Sequence, residues 1–328
     1  MAEWWVERGI GEARAVLVEQ GRIAEARILP DTMLLAGSVL EARLVRRIPA
    51  RNQGIIAWPD GEALLSPLPR SVTEGATLPI EITRPPLPEP GKPKRALARP
   101  AAADAKPGGR PDPLAGLNGP VRILAWQDSA LFDGHGWAEL CEEAETRSIA
   151  FPGGGLTLSL TPAMTLFDVD GELPAFELAQ AGAAAAARAI RRLDIGGSIG
   201  IDLPTVADKA QRLAIADAID ANLPQPFERT AVNGFGFVQI VRRRARLSLP
   251  ELHAGDPQGW YARALLRQAE RSTGTGERIL AAHPAVLEAI EAIPDWRGAL
   301  EQRMGAQAVL RADPALAISA GHVQARFP

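Results

Sequence analysis

The chain has 328 residues, 46% hydrophobic and 23% charged, with a formal net charge of −3, enough for about two domains and a sizeable core. This is an ordinary composition for a soluble globular protein, and it excludes one coated in positive potential, so a nucleic-acid partner needs local basic patches. Cys141 is the sole cysteine, which excludes a disulfide framework and a cysteine-based zinc site.

The opening MAEWWVERGIGEARAV carries charges through its first apolar stretch, so no signal peptide is expected. No run approaches the roughly 18 uncharged apolar residues of a membrane span. The expected location is the cytoplasm, with no membrane partner. Residues 4–29 alternate apolar and polar positions and predict strands, with a turn at Gln20-Gly21. Trp4 and Trp5 read as core residues, with base stacking as the alternative. Residues 37–84 hold short apolar runs (SVLEARLVRRI, QGIIAW, ALLSPL, ATLPIEI) separated by Pro, Gly, Asn and Asp. That spacing predicts a small β-barrel of the oligonucleotide-binding (OB) type. From Pro85 to Pro120 proline and glycine dominate and periodicity disappears, as in a linker or flexible arm.

After Pro120 the pattern becomes α/β. VRILAW, LTLSL, AMTLFDVD and SIGIDL read as strands, GWAELCEEAETR as a helix, and residues 175–193 as an alanine-rich helix. A further helix is expected over 205–221, one long strand over FGFVQIVRRRARLSL, and mainly helix over 257–305. Two basic clusters stand out. Residues 92–110, which include Lys92, Lys94 and Lys106, hold six basic residues and one acid, and VRRRAR brings together Arg242, Arg243, Arg244 and Arg246. Such runs are ordinarily solvated faces.

The candidate chemistry lies in two strands that each carry an aspartate at the C-terminal end, Asp168 and Asp202, with a helix between them. A strand–helix–strand unit predicts parallel strands with a right-handed crossover. If adjacent, at about 4.8 Å spacing, they bring both carboxylates to one rim. Asp170, two residues past Asp168, points to the same face. Such acids repel unless a cation neutralises them or some stay protonated, and an all-oxygen set suits Mg²⁺ or Mn²⁺. The competing reading makes Asp202 the N-cap of the following helix. The four histidines, His135, His253, His283 and His322, have no metal-site or acid–base spacing, and FPGGGL lacks the GK[ST] ending of a phosphate loop.

Three stretches carry a resemblance to the ribonuclease E/G family. These are FPGGGLTLSLTPAMTLFDVDGE, AAAAARAIRRLDIGGSIGIDL and NGFGFVQIVRRRAR. They resemble that family's glycine turn and catalytic Asp-Val-Asn strand, its Ala/Ile/Arg helix leading to the second catalytic Asp, and its Phe-Gly strand entering a basic cluster. ARAVLVEQGRIAEARI and SVLEARLVRRI…QGIIAW are similar to the family's opening strands and inserted barrel. The likeness touches most of 1–97 and 120–325 and is specific across 150–246.

The resemblance implies Asp168 and Asp202 as metal ligands, with Asp170 standing where the family has Asn. It places Lys94 near the family's basic residue at the barrel exit. Its 5′-monophosphate sensor is missing, with 98–120 in its place, its stacking aromatics are replaced at or near Ile56 and Leu65, and its zinc-link cysteines are absent.

The expected fold is therefore α+β, an RNase H-like mixed-sheet nuclease domain with an inserted OB-type barrel and C-terminal helices. Its expected parts are N-terminal nuclease strands 1–36, barrel 37–97, flexible linker 98–120, and catalytic domain with a C-terminal helical region 121–328. The expected activity is metal-dependent hydrolysis of single-stranded RNA in RNA processing or decay. Asp168, Asp170 and Asp202 are its catalytic residues, Mg²⁺ or Mn²⁺ sits on Asp168 and Asp202, and Lys94, Arg242, Arg243 and Arg244 contact RNA. Any homodimer forms without a zinc link. The alternative is a noncatalytic RNA-binding protein that keeps the fold.

Overall fold

A computed structural model describes residues 2–88, 94–109, 111–112, 114–125, 128 and 130–327; Lys92, Arg110 and Trp126 lie outside the described residues. The protein is mixed α+β. It divides into two compact units: Met1–Met33, Leu117–Leu140 and Leu252–Pro328 form the first, Leu34–Gly116 and Cys141–Glu251 the second.

The first unit opens with an antiparallel meander of β1 (Glu3–Arg8), β2 (Glu12–Glu19) and β3 (Arg22–Pro30). Gln20 and Gly21 have φ of 50° and 77°, the double left-handed turn whose twist matches the strands it joins. Trp4 and Trp5 are buried in this sheet.

The second unit then begins with β4 (Val39–Ile48), β5 (Gln53–Trp58), β6 (Gly61–Leu65), β7 (Thr77–Arg84) and β8 (Ala96–Pro100). They close into a five-stranded barrel in the order β4-β5-β6-β8-β7, with β6 and β8 parallel. Ile56 and Leu65 are fully buried in its core with Leu44, Ile80 and Ile82, because alternation turns them inward. Residues 101–109 return to the barrel. Val39 N donates to Gly109 O at 2.8 Å, Gly108 N to Val39 O at 2.9 Å, and Ala101 N to Pro79 O at 3.1 Å.

Back in the first unit, β9 (Val121–Leu124) adds parallel to β1, giving the order β3-β2-β1-β9. The N-terminal strands thus pair with β9 and not with the strands that carry Asp168 and Asp202. Two helices follow, α1 (Ala130–Asp133) and α2 (Trp137–Thr146). Arg14 of β2 is buried, paired with Glu7, and lies 4.8 and 4.6 Å from the rings of Phe132 and Trp137. Burial pulls its pKa down to about 10, with Arg267 adding to the shift and Glu7 opposing it.

The second unit's main sheet follows: β10 (Ser148–Phe151), β11 (Gly154–Leu160), β12 (Thr165–Gly171), α3 (Ala175–Arg192), β13 (Gly197–Asp202), α4 (Lys209–Asn222), β14 (Glu228–Arg229) and β15 (Phe237–Arg242). Its order is β10-β11-β12-β13-β15-β14, and α3 is the crossover between the parallel pair β12 and β13. Small residues let α3 lie close to the sheet: a Cβ on Gly182 would overlap Val169 Cγ1. Phe167, Val169, Ile199 and Ile201 are buried on one side of these strands, which by alternation leaves Asp168, Asp170 and Asp202 on the other.

The C-terminal region holds α5 (Leu249–Gly255), α6 (Pro257–Glu270), β16 (Thr275–Ala282), α7 (Pro284–Glu291), α8 (Pro294–Met304), β17 (Ala308–Ala312) and β18 (His322–Phe327). As the sequence predicts, 257–305 is mainly helical, in α6, α7 and α8, but the stretch between α6 and α7 is β16, the central strand of a sheet ordered β17-β16-β18. Leu280, Ala281 and Ala282 are all buried, so they read as one continuous apolar run, and a short run of that kind fits a buried strand or a buried helix equally well.

Candidate functional site

The acids converge as the strand–helix–strand unit requires. Asp168 and Asp202 are register partners across the parallel pair β12 and β13, so their side chains leave the same face of adjacent strands at about 4.8 Å backbone spacing. Asp170 follows on that face, and all three are exposed. Burial of the carboxyl, then the charges of Asp170 and Asp202, hold Asp168 above the usual carboxylate range. Both charges named there are negative, so the site has a deficit of positive charge.

Capping is not what Asp202 does. Helix α4 starts seven residues later, and its N-cap is Asp208, whose carboxylate accepts from Gln211 N at 2.8 Å. Asp170 and Asp202 make no side-chain hydrogen bond or ion pair among the described residues.

The loop from Asn233 to Phe237 stands directly beside Asp202. Phe237 is the register partner of Asp202 on β15, and Leu203 N donates to Gly236 O at 3.2 Å. Asn233 Oδ1 accepts from the backbone N–H groups of Phe235 and Phe237 at 2.9 and 3.0 Å. Gly236 has φ +90°, and a Cβ there would overlap Leu203 O, so glycine is required both by conformation and by close approach. At the loop's tip Phe235 is 83% exposed. Sequence reasoning counted it as part of a strand. The signal that could have separated it is its position between Gly234 and Gly236, a turn composition inside an otherwise apolar run.

The arginine run divides by task. The expected long strand ends at Arg242, because the chain then turns back over the loop that follows α3. Arg242 Nη1 donates to Ile195 O at 3.3 Å, and Arg244 Nε and Nη2 donate to Gly196 O at 3.0 and 2.8 Å. Arg244 also pairs with Glu251 at 3.0 Å, and Arg246 with Asp194 at 2.5 Å. These three side chains hold the 194–197 loop and so the start of β13. Arg243 is exposed and makes no side-chain hydrogen bond or ion pair among the described residues. Lys94 donates through Nζ to Pro162 O. It lines a cleft of about 200 Å³ with Thr161, Met164, Ser198, Arg244 and Glu251. Ser198 and Thr165 at the cleft edge lie four and three residues before Asp202 and Asp168, about 10–13 Å along the strands. Phe237, Met164 and Leu166 crowd around Gly200 between them. The structure thus gathers Asp168, Asp170 and Asp202 at the strand ends, puts Lys94 at the cleft, and gives Arg242 and Arg244 to the loop.

The donor set fits a hard divalent cation. Mg²⁺ is commonly held by one or two carboxylates, with water and phosphate oxygens completing its shell, and Asp168 with Asp202 provides two carboxylates on an open face. Among the described residues no group of three or more His, Cys, Asp or Glu side chains is arranged to hold an ion alone, so any cation here shares its shell with solvent or substrate. No protein-family model and no curated protein matches the chain. Among the described residues no helix is long and apolar enough to cross a membrane.

Proposed function

We propose that this protein is a metal-dependent endoribonuclease that hydrolyses single-stranded RNA, a short form resembling the ribonuclease E/G family. The reading includes an RNase H-like nuclease architecture, an OB-type barrel and a cytoplasmic location. The observation that carries it is the in-register pair Asp168 and Asp202, joined by Asp170 on one exposed face, with the capping role that could have explained Asp202 taken by Asp208. Acids that neither cap nor pair, and of which Asp168 is held above its ordinary range by burial and the other two charges, form a site suited to a cation.

Asp168 and Asp202 hold Mg²⁺ or Mn²⁺ in this reading, and the ion supplies Lewis-acid polarisation of the phosphodiester. Asp170 accepts a hydrogen bond from water on the same face and orients it. Arg243 and Lys94 are the cations that meet phosphate, the guanidinium through two hydrogen bonds. Arg242 and Arg244 act one step back, by fixing the loop from which β13 starts. The closed five-stranded barrel supports the reading, since small barrels of this size bind oligonucleotides. Any homodimer forms without a zinc link.

The test is incubation of the purified protein with end-labelled single-stranded RNA in Mg²⁺, in Mn²⁺ and in excess chelator. Internal cleavage that requires the metal supports the proposal. Binding without cleavage leaves a noncatalytic RNA-binding protein, and neither binding nor cleavage removes RNA from the account.

A further inference from the structure

We propose that Phe235 is a base-stacking platform, on which a nucleotide beside the scissile phosphate lays its base. The inference rests on the reading of the acid cluster as an RNA-cleaving site, and adds to it a residue that fixes the substrate. Among the exposed large hydrophobics of the described residues Phe235 is the most exposed, at 83% against 64% for Ile123. Leaving a phenylalanine in water forgoes about 1.5–3 kcal/mol of burial, so its exposure on a tightly held loop calls for an explanation.

The loop is built to present the ring. Asn233 fixes the backbone on both sides of Phe235 through two hydrogen bonds. Thr205 Oγ1 donates to the Phe235 carbonyl at 3.3 Å, which ties the residue's backbone down on the β13 side. Gly236 lets the loop press against Leu203, the residue after Asp202. Phe235 is two residues from Phe237, the register partner of Asp202, so its Cα lies within about 12 Å of the Asp202 Cα. The base of a nucleotide whose phosphate meets the acids can reach across such a gap.

Several features favour a nucleobase over a protein partner. The exposed group is a single ring between two glycines, it lies two residues before the strand end that pairs with Asp202, and Arg243 offers a separate phosphate contact on the same strand's continuation. Every base has a π-face, so stacking here gives affinity with little sequence preference.

The experiment measures binding of a short single-stranded RNA in excess chelator, by fluorescence anisotropy, for the wild type, Phe235→Ala, Phe235→Leu and Phe235→Trp. Each is also measured with oligonucleotides carrying one abasic site at successive positions. Phe235→Ala should weaken binding roughly 5- to 100-fold, Phe235→Leu should recover little of this, and Phe235→Trp should restore it. One abasic position should cost the wild type a similar factor and cost Phe235→Ala nothing. Equal affinity of wild type and Phe235→Ala, or losses that multiply at every abasic position, overturns the stacking role. If the wild type cuts RNA while Phe235→Ala is unchanged, the stacking role alone falls. If the wild type neither binds nor cuts single-stranded RNA, the ribonuclease reading falls and takes this inference with it.

Discussion

The two glycines that flank Phe235 should respond in opposite ways to the same added methyl group. Gly236 sits at φ +90°, and a Cβ there would overlap Leu203 O and lie 3.0 Å from Leu203 C. That contact is with backbone, so no side chain can swing away, and Gly236→Ala must open the loop. The cost combines a residue forced into a sparsely populated conformation, about 1–3 kcal/mol, with loss of the Leu203 N to Gly236 O hydrogen bond, about 0.5–1.5 kcal/mol. Together these give a destabilisation of about 2–4 kcal/mol. A Cβ on Gly234 would meet nothing within 4 Å, and its φ is not left-handed, so Gly234→Ala should be neutral or stabilise by up to about 1 kcal/mol through the unfolded chain. Urea denaturation followed by circular dichroism measures both variants. A Gly236→Ala variant within about 0.5 kcal/mol of wild type, the range of an ordinary surface change, would refute the close approach, as would an equal loss in Gly234→Ala.

Asp168→Asn and Asp202→Asn should each abolish metal-dependent cleavage while leaving RNA affinity in chelator nearly unchanged, since phosphate affinity comes mainly from basic residues; full activity in both variants would remove the metal site. Arg243→Ala should weaken RNA binding and lower the salt slope by about 1 with little effect on stability. Arg244→Ala should instead cost about 2–4 kcal/mol by leaving Glu251 without its ion-pair partner, and the reverse pattern in binding and urea titrations would contradict the division of the run. Glu270 is 3% exposed, and burial holds its carboxyl above the usual range despite the pair with Arg303, with Glu7 adding to the rise. Its ionisation therefore favours the unfolded chain, and the stability it leaves intact below the ordinary carboxylate pKa is lost as pH rises through its raised value. Glu270→Gln lacks that loss, so it should gain on the wild type as pH rises from about 4 to 7; melting curves in which the wild type gains instead would reverse the sign.

Local rules in the sequence reached those parts of the fold that local physics decides. Gln20-Gly21 announces a hairpin because both positions must adopt positive φ, and the alanine-rich stretch announces α3 because a helix must lie flat on β12. The acid pair is legible for a similar reason. One strand, one helix and one strand in succession leave few topologies, and in the parallel one Asp168 and Asp202 fall opposite each other. Strand β16 is not legible, because TGERILAA becomes a strand only when β17 and β18 arrive on both sides, and its partners lie up to about 50 residues away in the chain. The N-terminal strands likewise do not declare in the sequence that their fourth neighbour is β9, with a whole barrel lying between.

The arginine run shows why charge alone misleads at a site. In the sequence Arg242, Arg243, Arg244 and Arg246 are equivalent, and all suit a phosphate. What separates them is a set of backbone carbonyls and one carboxylate in the loop after α3, more than 45 residues earlier. A helix ending at Arg192 and a strand starting at Gly197 leave the carbonyls of Ile195 and Gly196 without ladder partners, and buried carbonyls need donors. Guanidinium groups supply several donors each, so a loop of this kind draws arginines whether or not RNA is present. The member that escapes is Arg243, on the outward side of the alternation, and its neighbours are what hold it there. Removing Arg244 therefore acts on the acids too, through Gly196 and the register of β13, and its effect on cleavage should exceed its effect on RNA affinity.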